Sequence, residues 1–359
     1  LPEDVRFEGE GGVLMMKTLE YTVSFTTPAF LGNAEQQAQW RTPPFKALLR
    51  QWWRVAYAAD RGFNVDVGAM RREEGLLFGH AWLEKDTFKR DGREVTAVAR
   101  KSLVRLRLKN PTGDNENSWR IGSQKGVDPL SNGLETSYAW FGLIKRGDGL
   151  PDRSAVKSVD RKSVGAAEAI RQLGIAVPDK DVTKFQEVMQ LIDAFGLIGS
   201  RSRGGWGALH VGDIEPLSSQ GMARYARSID ACLADDWAAS LAKDDGGICI
   251  WHSRNSFGTW DKAMEAVAIE RKKIRSALKV ELDLRPALGF ASSGRMPSPL
   301  RWKVTGGQSN GLAFRVFAMP HRLPDASNKS LRCEQLQRAW RIVCDTLDRS
   351  QSFTPRNNR

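Results

Sequence analysis

Cysteine and histidine are scarce in this sequence, with four of each in 359 residues, and neither set has the spacing of a metal site. No C-x-x-C pair and no H-E-x-x-H pattern occurs, which disfavours zinc modules and histidine-based metalloproteases. A chain of this length can bury a sizeable core without disulfides, so we predict free thiols and a cytoplasmic location. The cysteines are Cys232, Cys249, Cys333 and Cys344.

Long apolar runs are also missing. No segment approaches the roughly 20 residues that cross a bilayer, and no signal-peptide core is present. Neither the G-x-G-x-x-G fingerprint nor a P-loop occurs, so we expect no nucleotide cofactor, no small-molecule substrate and no membrane partner. Residues 1–14 are acidic and glycine-rich, and we interpret them as a flexible lead outside the folded domains.

The charge of the chain is strongly basic. Its 54 lysines and arginines oppose 42 aspartates and glutamates, which leaves a formal charge of +12 and a sequence pI near 9.7. The apolar share of 41% and the charged share of 27% are those of an ordinary globular protein. A basic excess favours anionic partners, of which nucleic acid is the commonest, although a membrane-surface or general polyanion-binding protein would carry the same charge.

A helix near the N-terminus carries the most informative cationic pattern. Thr42 and the two prolines after it predict a helix start, because the N–H groups of a first turn have no intrahelical acceptor. Along this helix Lys46, Arg50 and Arg54 stand one above another, with Trp53 beside that row. Cations at this spacing repel mildly, so the row indicates either an anionic partner or a solvated face above core tryptophans. The opposite face is apolar: Phe45, Leu48, Leu49, Trp52 and Ala56.

A second cationic surface is predicted on a strand. Residues 102–109 alternate, with Arg105 and Arg107 on the polar side and apolar residues on the other. Two polar stretches follow, residues 110–137 and 145–182, and we interpret them as long insertions.

A glycine-rich loop spans residues 199–207, directly after a predicted helix over residues 183–195. Glycines allow a ligand to approach the backbone closely, and Arg201 and Arg203 among exposed amides suit a phosphate group. The same residues also fit a plain turn into a strand over residues 206–211, and that interpretation does not exclude contact with a ligand.

The fold class is predicted to be α+β, because helical and strand patterns alternate without a Rossmann fingerprint. Past Pro216 the pattern resets, with helices predicted over residues 261–279 and 336–347. We expect two ferredoxin-like (RRM-like) domains, residues 15–215 and 216–359, the first of which carries the glycine-rich loop and the insertions.

Several short motifs occur in a fixed order along the chain. They are Thr27-Pro28-Ala29-Phe30-Leu31-Gly32, Leu77-Phe78-Gly79, Lys101–Leu106, Tyr138, Gly142-Leu143, Gly289-Phe290 and Arg295–Leu300. Together with the Trp-Trp-Arg helix and the glycine-rich loop, this order resembles that of RAMP-superfamily subunits of type III CRISPR effector complexes, and among them most closely subunit one of the Cmr complex. The resemblance extends from about residue 19 to about residue 305.

The resemblance implies two ferredoxin-like domains in a non-catalytic subunit that binds guide RNA in its 3′ part, or the target RNA paired there, beside other type III effector subunits. Cations for phosphates, an aromatic ring for a base and glycines for close approach agree with that role. The residues expected to face RNA are Lys46, Arg50, Trp53, Arg54, Arg201, Arg203 and the amides of Gly204 and Gly205, to which the strand pattern adds Arg105 and Arg107.

Two departures from the family pattern are visible. Ala47 stands where the family usually has glycine after the lysine, which affects close backbone approach there. Residues 145–182 lack the apolar strand that the family places before the helix of the glycine-rich loop.

Cleavage of target RNA is the alternative, since some members of the superfamily cut with one loop aspartate. Asp114 and Asp128 would then hold a divalent metal such as Mg²⁺, although aspartates are also common in polar loops as turn residues. Metal-free cleavage would need a general base, and the sequence places neither His80 nor His252 near the basic motifs. The main interpretation therefore has no catalytic residue and no cofactor.

Overall fold

The structure, a computed structural model, describes residues 5–9, 12–34, 38–81, 87–90, 93–96, 99–109, 118–120, 139, 154–156, 170–280, 282–290, 296–306, 311–323 and 331–356. These residues form a mixed α+β architecture with several antiparallel sheets, as predicted. The helices are α1 (Thr42–Asp60), α2 (Val67–Phe78), α3 (Val182–Phe195), α4 (Ser219–Ala223), α5 (Ile229–Ala234), α6 (Trp260–Ala277) and α7 (Cys333–Asp348). The strands are β1 (Val5–Gly9), β2 (Gly12–Phe25), β3 (His80–Ala81), β4 (Thr87–Arg90), β5 (Arg93–Thr96), β6 (Ala99–Arg100), β7 (Arg105–Lys109), β8 (Ser118–Arg120), β9 (Ser154–Val156), β10 (Arg171–Pro178), β11 (Gly204–Gly205), β12 (Leu209–Val211), β13 (Ala226–Ser228), β14 (Leu241–Asp244), β15 (Gly247–Ile248), β16 (Ile250–His252), β17 (Leu300–Gly306) and β18 (Leu312–Ala318).

The larger sheet is antiparallel and has five strands. β10 lies between β7 and β2, and the other side of β2 pairs with β1 at one end and with β12 at the other. Leu173, Ile175 and Val177 of β10 are buried in the core under this sheet. The sequence predicts no apolar strand in this stretch, and that expectation is wrong. Three apolar residues separated by glycine and alanine are a weak local signal, and it is the pairing on both sides that makes the strand.

Helices α1, α2 and α3 cover one face of this sheet. α1 begins at the prolines, as predicted, and buries Trp52 and Phe45 completely. α2 begins at Asp66, whose side chain accepts hydrogen bonds from two backbone amides, and it continues to Phe78. The Leu77-Phe78-Gly79 motif is therefore a helix end, with Gly79 at a positive φ of 82°.

The smaller sheet packs against the remaining long helices. β17 pairs with β18 and, on its other edge, in parallel with β11, while β16 completes the sheet next to β18. α6 and α7 lie against this sheet and bury Met264, Val267, Trp340 and Val343. Helices were predicted in both places, and both predictions are confirmed.

The end of β2 ties the two sheets together through two threonines. The Thr27 hydroxyl donates to the Gly205 carbonyl (2.7 Å) and accepts from the Ala208 amide (3.1 Å). The neighbouring Thr26 hydroxyl donates to the Val304 carbonyl of β17 (2.6 Å). The glycine-rich loop is therefore held between the first sheet and the second.

The two hydrophobic cores share residues across the predicted boundary at Pro216. The core around α6 and α7 includes Phe30 and Trp206, and the core under the larger sheet includes Phe317 and Met319. The division into residues 15–215 and 216–359 stays a prediction. The interpretation of residues 1–14 as a flexible lead is wrong for residues 5–9 and 12–14, because β1 and the start of β2 pair in the larger sheet.

Two cations, of which Lys303 is buried and Arg315 half-buried, cap the carboxyl end of α3. Lys303 of β17 is 2% exposed, and its ammonium donates to the carbonyls of Ile192 (3.1 Å) and Asp193 (2.5 Å). Arg315 of β18 donates to the Ala194 carbonyl (2.8 Å). Positive charge at a helix C-terminus interacts favourably with the helix dipole, so these contacts fix α3 on the second sheet.

All four cysteines are free thiols, as predicted. Among the described helices, none is long and apolar enough to cross a membrane.

Gly207 provides a sharp test of how the glycine-rich loop is packed. Its φ is +60°, and a Cβ there would lie 1.9 Å from the Ile198 carbonyl oxygen. We expect Gly207→Ala to lower the free energy of unfolding by roughly 3 kcal/mol or more, because a backbone atom must move. Denaturant unfolding measures it.

Gly62→Ala is the matched control. Its φ is +57°, but a Cβ there would meet nothing within 4 Å. The cost should be about 1 kcal/mol, from the left-handed backbone alone. Equal decreases in the two variants would contradict the packing described for the loop.

Candidate nucleic-acid interface

α1, α2 and the short β3–β6 ribbon enclose an open groove of about 750 Å³, which we call the α1–α2 groove. Phe78, Met70 and Trp237 contribute its apolar lining. Its charged lining is mainly positive, with five cations and two carboxylates: Lys46, Arg50, Arg54, Arg71, Arg100, Glu74 and Asp236. An open, basic groove of this size suits an extended polyanion better than a compact, neutral ligand.

Glu74 organises the floor of the groove. Its side chain is only 4% exposed, whereas those of Arg50 and Arg54 are 39% and 42% exposed. Arg50 Nε donates to Glu74 Oε1 (2.6 Å), Arg54 Nη2 donates to the same oxygen (2.8 Å), and Arg54 Nε donates to Oε2. Burial alone would raise the pKa of Glu74, but the hydrogen bonds from Arg54 and then Arg50 outweigh it and lower the pKa. Two cations of the predicted row thus share one buried counter-ion.

Lys46 occupies the same groove one turn before Arg50. Burial and the nearby charge of Arg50 lower its pKa from the ordinary lysine value. Within the described part of the chain, no ion pair is formed by Lys46 or Arg71. These two side chains are available to an external anion.

His80 lies in the lining of this groove as well. The sequence places no histidine near the basic motifs, and for His80 that prediction is wrong. Helix α2 ends directly before residue 80 and brings it back toward α1. No helix was predicted from the sequence over the residues of α2, so the sequence could not place His80 in the groove.

Trp53 does not face the groove. Its ring is 6% exposed and packs on Tyr57 and Phe78, with ring centroids 4.9 and 6.0 Å away. This corrects the expectation that Trp53 offers a face to a base. Helix α2, which was not predicted from the sequence, covers this side of α1.

The glycine-rich loop differs from its predicted role. The Gly204 and Gly205 amides, expected to face a ligand, donate instead to the carbonyls of Arg201 (2.9 Å) and Ser202 (3.0 Å). A Cβ at Gly204 would lie 2.7 Å from Arg271 Nη1 of α6. The close approach that these glycines permit is therefore to the protein's own helix.

The loop arginines are placed differently from each other. Arg201 is exposed, at a φ of +57°. Arg203 is half-buried, and its Nη1 donates to the Ser298 carbonyl (3.2 Å). Burial lowers the pKa of Arg203 to about 10. Binding an anion would offset the cost of burying this guanidinium.

The segment Asp235–Trp237 connects the α1–α2 groove with the surroundings of Arg203. Asp236 and Trp237 line the α1–α2 groove, and the Asp235 carbonyl accepts from the Arg322 amide (2.7 Å). Beside it, burial and the charges of Arg203 and Arg301 lower the pKa of His321, while Asp236 acts in the opposite direction.

The remaining sequence-predicted residues lie elsewhere. Arg105 and Arg107 are exposed on β7, the edge strand of the larger sheet, as their alternation predicts. Asp114 and Asp128 lie outside the described residues. The structure therefore brings together Lys46, Arg50 and Arg54, and it does not add Arg105 or Arg107 to their groove.

A family model described as the RAMP superfamily matches residues 22–210, more than half of the chain. The chain belongs to the RAMP superfamily. No curated protein matches the chain at a significant level.

Three solved structures are similar to this chain. The crystal structure of Cmr1 from Pyrococcus furiosus in its apo form superimposes with a TM-score of 0.51 and 14% identity, over 92% of this chain and 97% of that one. Two cryo-EM structures of the Type III-B Cmr-beta complex also match. The one bound to cognate target RNA gives a TM-score of 0.47 and 13% identity over 95% and 100% of the chains. The one that also holds AMPPnP, in the presence of ssDNA, gives 0.47 and 12% over 93% and 98%.

Two recognised motifs of this RAMP protein form one structural unit. The Ser200 amide donates to the Phe30 carbonyl (3.0 Å), and the Gly207 amide donates to the Pro28 carbonyl (2.9 Å). Segments about 170 to 180 residues apart in the sequence are thus hydrogen-bonded to each other.

Arg71 and Arg100 are groove residues that the sequence did not reveal. Arg71 precedes Glu74 by three residues, so both face α1 once α2 is recognised as a helix. That spacing was the available signal for Arg71. Arg100 has no local signal, because only the pairing of β6 with β3 brings it to the groove.

One group among the described residues has donors close enough for a metal ion: Asp244, Cys249 and Cys344, within 4.8 Å of one another. Arg356 already occupies this place, with Nη1 2.7 Å from Asp244 Oδ1 and 3.5 Å from Cys249 Sγ. The hydrogen bond with Cys344 and then burial raise the pKa of Cys249, which disfavours the thiolate that metals require. A guanidinium, not a metal, balances the carboxylate here.

Removing the charge of Glu74 tests the groove. We expect Glu74→Gln to strengthen binding to a polyanion such as heparin, because the groove loses a negative charge while the glutamine still accepts hydrogen bonds. The free energy of unfolding should fall by only about 1–2 kcal/mol, since both arginines are more than a third exposed and can be solvated. The salt concentration of elution from heparin and denaturant unfolding measure the two effects.

Glu73→Gln makes the same change of charge one residue away. Glu73 pairs with Arg61 and does not line the groove. Equal retention of both variants on heparin would contradict the assignment of the groove.

Proposed function

We propose that this RAMP protein is a non-catalytic RNA-binding subunit of a type III CRISPR effector complex. The strand it binds is the 3′ part of the guide RNA, the target RNA paired there, or both, and its backbone phosphates lie along the α1–α2 groove. One observation carries the proposal: α1, α2 and β6 contribute five cations to one open cavity that contains two carboxylates. The membership in the superfamily and the fold shared with Cmr1 support it.

The kind of donors in the groove favours contact with phosphates over reading of bases. Lysine and arginine contacts to phosphate position a strand without reading its sequence. Trp53, the aromatic ring expected to stack on a base, lies in the core. We therefore infer little base preference, as expected for a subunit that must accept guides of many sequences.

The partners in this proposal are guide RNA, target RNA and other type III effector subunits, with no membrane and no small-molecule substrate. The architecture that we propose is two ferredoxin-like domains, residues 15–215 and 216–359, with the glycine-rich loop between their sheets. The hydrogen bonds of Thr26 and Thr27 to both sheets support this placement of the loop.

Neutralising Lys46 and Arg71, which form no ion pair with any described residue, should weaken RNA binding. We expect Lys46→Gln with Arg71→Gln to reduce affinity for a single-stranded RNA roughly tenfold or more. The log–log dependence of affinity on salt should become shallower by roughly 0.7 for each phosphate that the protein no longer neutralises. Filter binding over a range of salt concentrations measures both quantities.

Lys243→Gln with Lys279→Gln is the control. Both lysines are exposed, neither lines the groove, and the change of charge is identical. A fall in affinity equal to that of the groove variant would mean that total charge, and not the groove, binds the RNA. A flat salt response of the unaltered protein would contradict the proposed function itself.

Cleavage of target RNA is tested separately. We expect that this subunit of the complex does not cut labelled complementary RNA when Mg²⁺ is present. Cutting that disappears in Asp114→Ala or Asp128→Ala would overturn the non-catalytic assignment. Asp230→Ala, a change at an exposed position of α5 outside the groove, controls for nonspecific effects.

A further inference from the structure

Outside the α1–α2 groove, Arg203 and Arg301 form a pair of neighbouring cations with unusual surroundings. Arg301 is the second residue of β17, and its side chain is almost fully buried, with 4% exposed. Arg203 reaches it from the glycine-rich loop, because the Trp302 amide donates to the Arg203 carbonyl (3.1 Å) and Arg203 Nη1 donates to the Ser298 carbonyl (3.2 Å). Burial and, after it, the charge of Arg203 lower the pKa of Arg301, so the two guanidinium groups are within electrostatic reach of each other.

Arg301 has no counter-ion among the described residues. Its Nε is sealed from solvent without a hydrogen-bond acceptor, and no ion pair is formed by its guanidinium or by that of Arg203. Asp236, whose charge reaches His321 nearby, pairs with neither arginine. Burying an unpaired charge is costly, and a buried guanidinium normally has a carboxylate or a set of carbonyl oxygens as its partner.

Lys303 is a second buried cation on the same face of the same strand, and it has hydrogen-bond acceptors, although burial lowers its pKa to about 7. It lies two residues after Arg301, it is equally buried, and its ammonium donates to the Ile192 and Asp193 carbonyls at the end of α3. The fold therefore provides partners for one buried cation of β17 and leaves the other without any among the described residues.

The neighbouring His321 adds no negative charge to the pair. His321 Nδ1 donates to the Arg322 carbonyl (3.0 Å), since a carbonyl oxygen can only accept. Burial and the charges of Arg203 and Arg301 lower the pKa of His321, so this ring is neutral near pH 7. The negative charge that would balance the pair must come from outside the described chain.

We propose that Arg203 and Arg301 form a pocket for one phosphate group, which we call the Arg203–Arg301 pocket. A phosphate offers several acceptor oxygens and the charge that both guanidinium groups lack, and arginine forks match its geometry. The inference rests on the proposed function for its source, a phosphate of the RNA strand. The segment Asp235–Trp237, hydrogen-bonded to the loop of His321, connects this pocket to the α1–α2 groove, so that one strand can contact both.

The decisive variant is Arg301→Met, an apolar replacement of similar length. If the pocket binds a phosphate, Arg301 is unpaired in the protein without ligand. The Arg301→Met variant without ligand should then be at least as heat-stable as the unaltered protein, because an unpaired buried charge has been removed. Inorganic phosphate should raise the Tm of the unaltered protein and fail to raise that of Arg301→Met. RNA affinity should fall roughly tenfold, with a salt slope shallower by about 0.7.

Lys303→Met is the matched control, because it removes a buried cation that already has partners. It should lower the Tm, leave the stabilisation by inorganic phosphate intact and leave the salt slope of RNA binding unchanged. Arg203→Gln, at a half-buried loop position, repeats the test without disturbing β17 and should show the same absence of a response to phosphate.

The outcomes separate the pocket from the proposed function. If the unaltered protein binds RNA but Arg301→Met and Arg203→Gln bind it with the same affinity and slope, the pocket is wrong and the proposed function stands. If the unaltered protein binds no RNA, yet inorganic phosphate stabilises it and not Arg301→Met, the pocket is right and serves a free phosphate. A Tm of Arg301→Met that falls as far as that of Lys303→Met, with the response to phosphate retained, assigns Arg301 a structural role and overturns the inference.

Discussion

The α1–α2 groove depends on one buried carboxylate. Glu74 of α2 accepts hydrogen bonds from both Arg50 and Arg54, and without it two cations one turn apart would repel each other against an apolar floor. The shared carboxylate also fixes the distance between α1 and α2, which gives the groove its width. Because two guanidinium groups oppose one carboxylate, this arrangement stabilises the helix pair and still leaves the groove positive.

The glycine-rich loop links the two sheets of this protein. Gly207 is needed because the Ile198 carbonyl leaves no room for a Cβ, and the amides of Gly204 and Gly205 are used in the loop's own turn. What the loop presents is arginine side chains, and Thr27 determines where they lie by holding the loop between the two sheets. A motif that resembles a phosphate-binding loop can therefore contribute to anion binding through side chains that the backbone positions.

β17 carries two buried cations with different surroundings. Lys303 is satisfied by the carboxyl end of α3, so its burial strengthens the contact between the sheets. Arg301 lies on the same face, beside Arg203 and without a partner among the described residues. A protein keeps an unpaired buried cation only where something compensates for its cost, and in a basic chain of the RAMP superfamily a phosphate is the simplest compensating group.

The sequence alone determined the fold class, the main helices and the cationic row on α1, because periodicity and helix-start residues act within a few residues of one another. It did not reveal β10, whose three apolar residues become a strand only through pairing on both edges. It could not show that Trp53 is covered, that Arg100 and His80 join the groove, or that Gly204 faces α6. Those facts depend on contacts between segments far apart in the chain. Whether a cation binds a ligand or a neighbouring carboxylate is decided by such contacts, and only the tertiary structure contains them.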